Sequence, residues 1–171
     1  MEEKNYKEKL KDITTFIFDV DGVFTNTQVF VNNDGDLLRS MNMKDGFALK
    51  TAVAKGYTIC IITGGGNVGV QKRFENLGVT DIYMLRHEKL ETFLEYQKSK
   101  GLKTEQILYM GDDIPDIPPM KHSGLATCPQ DAVPEVKAVA HYISHRDGGQ
   151  GAVRDVIEQV LKVRGDWFDF N

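Results

Sequence analysis

The stretch that decides the fold is Phe16-Ile17-Phe18-Asp19-Val20-Asp21-Gly22-Val23-Phe24-Thr25. Its aromatic and β-branched first part predicts a buried β-strand over about 15–20. The strand ends in two carboxylates, Asp19 and Asp21, and Gly22 then permits a sharp turn of the backbone. Buried carboxylates need compensation, which a bound cation supplies. Since ligands of open parallel α/β sheets bind beyond the carboxyl ends of the strands, the stretch predicts a metal-dependent site.

The spacing of the two carboxylates leaves two interpretations open. Asp19 and Asp21 would point to opposite faces of an extended strand. A turn that begins at Val20 would bring both into one pocket, where one can serve as a nucleophile and the other as a proton donor. The alternative is an ordinary strand-end turn or helix cap, because aspartate favours both.

Composition limits the class of protein. The 171 residues predict one domain, 1–171, with 41% hydrophobic and 27% charged residues as in ordinary soluble proteins. The formal net charge of −4 argues against a nucleic-acid partner, and no apolar run is long enough to span a membrane. The charged and polar stretch 1–11 has no apolar run, so we expect no secretory signal there. Cys60 and Cys128 are isolated, so we expect reduced core thiols and a cytoplasmic location.

Strand and helix patterns alternate along the chain after a helical lead-in at 1–14. The further predicted strands lie at about 57–62, 81–84, 107–110, 124–127 and 141–144. The predicted helices lie at about 46–55 after a cap at Asp45, at about 67–77 and 87–100, from a cap at Asp131 to about 139, and at about 152–164. This alternation predicts an α/β fold with a doubly wound, mainly parallel sheet and right-handed crossovers.

Two segments stand outside that alternation. Strand-like runs flank Asn33-Asp34-Gly35, which predicts a β-hairpin at about 28–39, either a flap beside the site or a plain edge hairpin. The aromatic tail Trp167-Phe168-Asp169-Phe170 predicts docking on this protomer or on another one.

Polar residues follow several of the predicted strands, where the ends of parallel strands converge at one edge. The set consists of Asp19, Asp21, Thr63, Lys89, Asp112, Asp113 and Asp116. Carboxylates suit Mg²⁺, which prefers oxygen ligands. A lysine and a hydroxyl suit phosphate oxygens. Together these residue types point to phosphoryl transfer at Mg²⁺.

These residues form four ordered signatures: Asp19-Val20-Asp21-Gly22-Val23, Ile62-Thr63-Gly64, Lys89, and Gly111-Asp112-Asp113-Ile114-Pro115-Asp116. With them the chain resembles the haloacid dehalogenase superfamily of phosphatases over essentially its whole length. The resemblance implies a Rossmann-like core with a hairpin flap. No cap domain is expected, because only about twenty residues separate Thr25 from Asp45, too few for the cap that a sugar phosphomutase needs to exclude water.

The resemblance also implies roles. Asp19 would attack phosphorus, and Asp21 would protonate the leaving alcohol and then activate water. Mg²⁺ would be held by Asp19, the backbone carbonyl of Asp21 and Asp112. The phosphoryl oxygens would be bound by Thr63, Gly64 and Lys89. Asp113 and Asp116 would orient Lys89 or metal-bound waters, or else cap a helix.

Within the superfamily, three stretches resemble phosphatases of keto-deoxy sugar acid phosphates: the hairpin, Lys44-Asp45-Gly46, and Gly148-Gly149-Gln150-Gly151 leading to Arg154. The implied substrate is 3-deoxy-D-manno-octulosonate 8-phosphate. The alternative is a nine-carbon sugar acid 9-phosphate, whose phosphatases typically carry Glu where Gly65 stands. The implied assembly is a homotetramer with flap and C-terminal contacts between protomers.

The substrate's carboxylate requires a second anion site. The glycine-rich loop before Arg154 can expose backbone N–H groups, so the loop and Arg154 are candidates; the alternative is a surface ion pair of Arg154. Roles for Arg73, Arg86 and His87 stay open. A rival from another class, a receiver-like phospho-acceptor domain, has a different order of motifs, since receivers carry the acid pair on the first strand and the acceptor on a middle strand.

Overall fold

The structure, a computed structural model, describes residues 5–168 and consists of a parallel sheet with helices on both faces. The strands are β1 (Thr15–Phe18), β2 (Phe30–Val31), β3 (Leu37–Leu38), β4 (Thr58–Ile62), β5 (Asp81–Tyr83), β6 (Ile107–Met110), β7 (Leu125–Cys128) and β8 (Tyr142–Ile143). The helices are α1 (Tyr6–Lys9), α2 (Met43–Ala54), α3 (Val68–Asn76), α4 (Lys89–Lys100), α5 (Ile117–His122), α6 (Pro134–Lys137) and α7 (Ala152–Val163). Short 3₁₀ turns lie at Leu10–Asp12, Thr104–Gln106 and Ile114–Asp116.

Strand order places β1 inside the sheet, next to the point where the winding reverses. The order is β5-β4-β1-β6-β7-β8, and every neighbouring pair is parallel. From β1 the chain adds β4 and β5 on one side and then returns to add β6, β7 and β8 on the other. Ligands of doubly wound sheets bind at such a switch point, beyond the strands' carboxyl ends. The predicted doubly wound α/β fold is confirmed.

Residues of β1 pack into both faces of the sheet, because a central parallel strand is covered by helices on each side. Phe16 and Phe18 belong to the apolar cluster that includes residues of α2 and α7. Ile17 belongs to a second cluster on the opposite face, with Phe93 of α4. Burial of both faces anchors the strand, so the residues after Phe18 leave the sheet from a rigid position.

Two predicted helix caps are wrong. Helix α2 begins at Met43, and its cap is the side chain of Asn42, which accepts a hydrogen bond from the Lys44 backbone. Asp45 lies inside the first turn and accepts instead from the backbone N–H of Arg154, at 2.7 Å. Asp131 caps no helix either, because its Oδ1 accepts from Gly148 N. Asp45 thus ties α2 to the first turn of α7, and Asp131 ties the loop after β7 to the loop after β8, roles that local sequence does not reveal.

The hairpin is present, and β2 and β3 pair only with each other in the described sheets. Its turn is closed by Asn32, whose side chain accepts hydrogen bonds from the backbone of Asp34 and Asp36. Apolar side chains lie exposed along it, with Phe30 the most exposed at 71%. The hairpin therefore presents an uncovered apolar surface.

The beginning of the aromatic tail docks on its own chain. Trp167 and Phe168 place their ring centroids 6.3 and 5.6 Å from that of Phe47 on α2. The guanidinium of Arg154 lies 5.5 Å from the Trp167 ring centroid. The end of the predicted tail, Asp169-Phe170, is outside the described residues. Within residues 5–168, no helix combines the length and apolar character that crossing a membrane requires.

Candidate active site

Asp19 lies at the floor of the site, one residue beyond β1. Its backbone N–H donates to Met110 O at 3.0 Å, which continues the pairing with β6 and fixes the position of its Cα. Its side chain is largely buried, and Oδ2 lies 2.9 Å from Nζ of Lys89. A rigid strand end thus presents one carboxylate next to one ammonium group.

A tight turn follows Asp19 and explains the glycine at position 22. The carbonyl of Val20 accepts from the backbone N–H groups of Val23, Phe24 and Thr25. Gly22 has φ of +85°, a conformation that costs glycine little. A Cβ at this position would overlap the carboxylate of Asp112. The glycine therefore permits both the turn and the close approach of Asp112 from the neighbouring strand end.

Asp116 is fully buried, and all its acceptor capacity is used within the chain. Oδ1 accepts from Lys89 Nζ at 2.7 Å and from the Tyr109 hydroxyl at 2.8 Å. Oδ2 accepts from the backbone N–H groups of Asp112 and Asp113, at 3.2 and 3.4 Å. Asp116 consequently holds Lys89 and the loop after β6 in place, the positioning role that the sequence suggested.

Three buried carboxylates, those of Asp19, Asp112 and Asp116, bring one oxygen each within 4.8 Å of the others. Burial, followed by the Asp19 and Asp116 charges, raises the pKa of Asp112 to about 8. Oδ1 of Asp112 is buried without a hydrogen-bond partner among the described residues. Since Asp116 is saturated, the carboxylates left for a metal ion are Asp19 and Asp112. An oxygen donor set with excess negative charge fits Mg²⁺.

Charge in this cluster is only partly balanced by Lys89. Burial lowers the pKa of Lys89, but the Asp19 and Asp116 carboxylates outweigh burial, so the ammonium form is stabilised. Burial and the Asp116 charge raise the pKa of Asp19 well above its usual range, and Lys89 opposes them. One ammonium among three carboxylates leaves a deficit of positive charge that a divalent cation would neutralise.

Asp21 faces the same cavity and is held by Arg39, which the sequence analysis missed. Nε and Nη2 of Arg39 lie 2.6 and 3.0 Å from the two carboxylate oxygens of Asp21, a bidentate ion pair. Arg39 follows β3, so the base of the hairpin reaches the site directly. The sequence signal that could have identified Arg39 is a cation placed directly after a predicted hairpin beside the site. The contact makes the hairpin part of the site.

Thr63 and Gly64 follow β4 and complete the wall of the cavity. The Thr63 backbone donates to Tyr83 O at 3.0 Å, and its hydroxyl accepts from Gly65 N at 3.1 Å. The cavity measures about 430 Å³ and is lined by Asp19, Asp21, Thr27, Thr63, Gly64, Gly65, Arg86, His87, Lys89, Asp112, Asp113 and Pro115. Asp113 caps the turn after it, since its Oδ1 accepts from Ile114 N. The structure therefore brings the predicted catalytic, phosphate-binding and metal-binding residues together.

Arg154 lies outside the cavity around Asp19. It lines a separate cavity of about 640 Å³, its Nε donates to Glu158 at 3.0 Å, and its guanidinium stacks over Trp167. Arg73 also lies apart from the cavity, where it contacts the Met43 sulfur. Within one protomer, then, the structure does not bring Arg154 to the Asp19 cluster.

The fold and the site are those of a hydrolase whose active site combines carboxylates with a divalent metal ion. The comparisons with known proteins agree with this class. A model of the haloacid dehalogenase-like hydrolases matches residues 78–157. The chain belongs to the haloacid dehalogenase-like hydrolase family, and it is a phosphatase. This membership sets aside the receiver-like alternative.

Individual relatives and solved structures indicate which kind of phosphatase the chain resembles. A 3-deoxy-D-manno-octulosonate 8-phosphate phosphatase from Salmonella typhi is 33% identical over 157 residues, which are 92% of this chain and 84% of that protein. The structure of a phosphatase of that name from Yersinia pestis is similar with a TM-score of 0.92 and 31% identity, over 95% of this chain and 88% of that one. Another, from Moraxella catarrhalis, contains magnesium, phosphate and the sugar acid, with a TM-score of 0.91 and 30% identity over 94% and 92% of the two chains.

Proposed function

We propose that this chain is a Mg²⁺-dependent phosphomonoester hydrolase that removes phosphate from 3-deoxy-D-manno-octulosonate 8-phosphate through an aspartyl-phosphate intermediate. The observation that carries the chemistry is Asp19, held at the cavity floor between Lys89 and the unpartnered carboxylate of Asp112. The proposed substrate is supported by relatives that are named as phosphatases of this compound and that match nearly the whole chain. We treat residues 1–171 as one phosphatase domain with a flap at about 28–39.

In the first step, a carboxylate oxygen of Asp19 attacks phosphorus, and the bond from phosphorus to the sugar oxygen breaks. Asp21 donates a proton to the departing oxygen. In the second step, Asp21 takes a proton from water, whose oxygen attacks the aspartyl phosphate and regenerates the Asp19 carboxylate. Inorganic phosphate is the second product. Two steps of moderate difficulty replace one difficult displacement.

The surrounding residues stabilise charge on the transferring group. Lys89, Thr63 and the backbone at Gly64 would contact its equatorial oxygens. Mg²⁺ held by Asp19, Asp112 and the backbone carbonyl of Asp21 would offset the repulsion between the anionic nucleophile and the phosphate. Asp116 takes no direct part but keeps Lys89 oriented through its 2.7 Å contact.

Arg39 adds a conformational requirement to this scheme. Both oxygens of Asp21 accept hydrogen bonds from Arg39 and so are occupied by its guanidinium. Proton donation by Asp21 therefore requires this pair to open. Since Arg39 is joined to the hairpin, substrate entry beneath the flap would open the pair and free Asp21 for proton transfer.

A screen of phosphate release across sugar phosphates tests the proposed function. We expect the eight-carbon keto-deoxy sugar acid 8-phosphate to show a kcat/KM at least about tenfold above that of the nine-carbon 9-phosphate or of glucose 6-phosphate. A tenfold preference corresponds to about 1.4 kcal/mol of transition-state binding, within the range of one extra charged contact. A preference for the nine-carbon acid would reject the substrate assignment while leaving the phosphatase class intact.

We further propose that the protein is a homotetramer, with hairpins and C-terminal segments at the contacts. Exposed apolar side chains of the hairpin support a buried interface: Val29, Phe30, Val31, Leu37 and Leu38. A capless site also needs a cover to limit access of water. We expect light scattering to give four times the protomer mass of 19.3 kDa. A fully active monomer at assay concentration would contradict the proposal.

Two cysteines support a cytoplasmic location for the enzyme. Cys60 and Cys128 are both buried and both free thiols. Burial raises the pKa of each thiol, to about 12 for Cys128, so both are unreactive. Neither contributes to the cavity around Asp19.

A further inference from the structure

The glycine-rich loop 148–151 precedes α7, and the sequence suggests it as an anion site with exposed backbone N–H groups. In the structure the two consecutive glycines use these groups within the chain. Gly148 N donates to Asp131 Oδ1 at 2.8 Å. Gly149 N donates to Val23 O at 3.0 Å, in the turn that follows Asp19. Within one protomer the two glycines therefore bind other parts of the chain, and their function has to be sought there.

The backbone of the loop lies directly against the backbone of the turn 20–25. A Cβ added at Gly148 would overlap the carbonyl oxygen of Gly22. A Cβ added at Gly149 would lie 2.6 Å from Asn26 N, closer than a side chain can approach a backbone atom. Glycine is required at both positions because two backbones touch there. The loop thus backs the turn on which the proposed metal ligand Asp21 lies.

Side chains from two other segments hold the loop in place. Asp131 accepts from Gly148 N, and Asn42 Nδ2 donates to Gly149 O at 3.3 Å. The fully buried carboxylate of Asp45 accepts from a backbone N–H in the first turn of α7, at 2.7 Å. The loop is therefore fixed at each of its two consecutive glycines and at the helix that follows it.

The segment that carries Asp131 also contacts the other side of the proposed metal site. Val133 N, two residues after Asp131, donates to Asp112 O at 3.0 Å. The segment 131–133 is therefore bonded at one end to Gly148, which backs the turn, and at the other end to a proposed metal ligand. One short segment thus relates the two halves of the proposed Mg²⁺ site to each other.

We propose that Gly148, Gly149 and Asp131, here called the brace, are positioning residues for the Mg²⁺ site. By backing the turn 20–25, the brace fixes where the Asp21 backbone carbonyl lies relative to the metal-binding carboxylates. None of the three residues lines the cavity around Asp19, so the brace acts through the turn and touches neither metal nor substrate. The inference rests on the proposed function, in which that carbonyl is a ligand of Mg²⁺.

Gly149→Ala tests the brace from the side of the turn, because the added Cβ would press on Asn26 N. We expect the dissociation constant for Mg²⁺, measured by titration calorimetry of the metal-free protein, to rise roughly 10- to 100-fold, as for other changes behind metal ligands. At saturating Mg²⁺ the KM for p-nitrophenyl phosphate should change less than about twofold, since the phosphate-binding residues are not displaced.

Gly101→Ala is the matched control for backbone strain. Gly101 has φ of +63° at the end of α4, close to the +68° of Gly149. No atom of residues 5–168 lies within 4 Å of the Cβ that the control adds. Both variants place alanine in a left-handed conformation and should lose stability to a similar extent. Only Gly149→Ala should bind Mg²⁺ more weakly than the wild type.

Asp131 provides a second test that adds no atoms. Asp131→Ala removes the acceptor of Gly148 N, and we expect the Mg²⁺ dissociation constant to rise roughly 3- to 10-fold. Asp131→Asn keeps an acceptor oxygen and should recover most of the affinity. Asp147→Ala is the control for lost charge, since Asp147 is exposed, precedes Gly148, and has no side-chain hydrogen bond or ion pair within residues 5–168.

The outcomes distinguish this inference from the proposed function. If the wild type binds no Mg²⁺, the proposed metal chemistry is wrong and the brace falls with it. If it binds Mg²⁺ and hydrolyses p-nitrophenyl phosphate but not the sugar acid phosphate, only the proposed substrate is wrong, and the brace is still decided by calorimetry.

Wild-type Mg²⁺ affinity in both Gly149→Ala and Asp131→Ala would overturn the inference. So would equal losses in Asp131→Asn and Asp131→Ala, because charge and not the hydrogen bond would then be responsible. An equal loss in Gly101→Ala and Gly149→Ala would also overturn it, since general destabilisation would explain both. If Gly149→Ala does not fold, the comparison of the two Asp131 variants decides alone.

Discussion

Asp19→Asn is expected to fold normally and to lose turnover by about four orders of magnitude or more, because an amide cannot form the phosphorylated intermediate. The substitution conserves volume, and Lys89 keeps its partner Asp116. The substitution should not destabilise the fold. Burial raises the pKa of Asp19, so at any pH above the usual aspartate pKa the ionised carboxylate costs free energy in the folded state. At neutral pH the neutral amide removes that cost.

The measurement is steady-state turnover together with acid-quenched mass spectrometry of the protein. Wild type should show a phosphorylated peptide containing Asp19, and Asp19→Asn should show none. Asp21→Asn should turn over slowly yet still become phosphorylated by p-nitrophenyl phosphate, whose leaving group needs little protonation. Asp34→Asn, the same chemical change in the exposed hairpin turn, is the control. Appreciable turnover by an Asp19→Asn sample of verified mass would falsify the nucleophile assignment.

Removal of divalent metal is expected to abolish activity, and Mg²⁺ is expected to restore it. Binding should also stabilise the fold. At Mg²⁺ concentrations about 100 times the dissociation constant, mass action adds about 2.7 kcal/mol, or roughly 5–11 °C in Tm for a chain of this size. The physical basis is the buried, unpartnered Oδ1 of Asp112 beside Asp19. Calorimetry of the metal-free protein against Mg²⁺ concentration measures this effect independently of turnover.

Asp112→Asn should eliminate most of that Mg²⁺-dependent rise in Tm. Asp113→Asn is the matched control, because the neighbouring carboxylate caps Ile114 N and should leave most of the rise intact. Asp116→Ala is expected to lower stability with or without Mg²⁺, since it leaves the Tyr109 hydroxyl buried without its acceptor and Lys89 with Asp19 as its remaining carboxylate partner. Full activity after rigorous metal removal would end the metal hypothesis. An equal loss of the Mg²⁺ effect in the Asp112 and Asp113 variants would reject the ligand assignment.

The sequence predicted the sheet and the cluster of polar residues at its edge because both depend on local patterns. A four-residue apolar strand is recognisable from its own side chains, and β6 lies where it was predicted, at Ile107–Met110. Parallel strand ends meet at one edge in any doubly wound fold, so acids and hydroxyls placed after strands converge there without further information. Asp19, Thr63 and Asp112 could therefore be assigned to one site before their distances were known.

Only the tertiary structure decided which charged groups pair with which. Asp45 and Asp131 have the local sequence of helix caps. Asp45 nevertheless accepts from the first turn of α7, and Asp131 accepts from the loop before that helix, because a carboxylate takes whichever donor the fold brings nearest. Arg39 lies 18 residues from Asp21 and reaches it only through the hairpin. The sequence alone does not show which of Arg154 and Arg86 is paired. The fold gives Arg154 a carboxylate partner and leaves Arg86 unpaired within the described chain, beside the cavity. Apolar periodicity is a local property that can be read from the sequence, whereas ion pairs depend on three-dimensional distances that the sequence does not show.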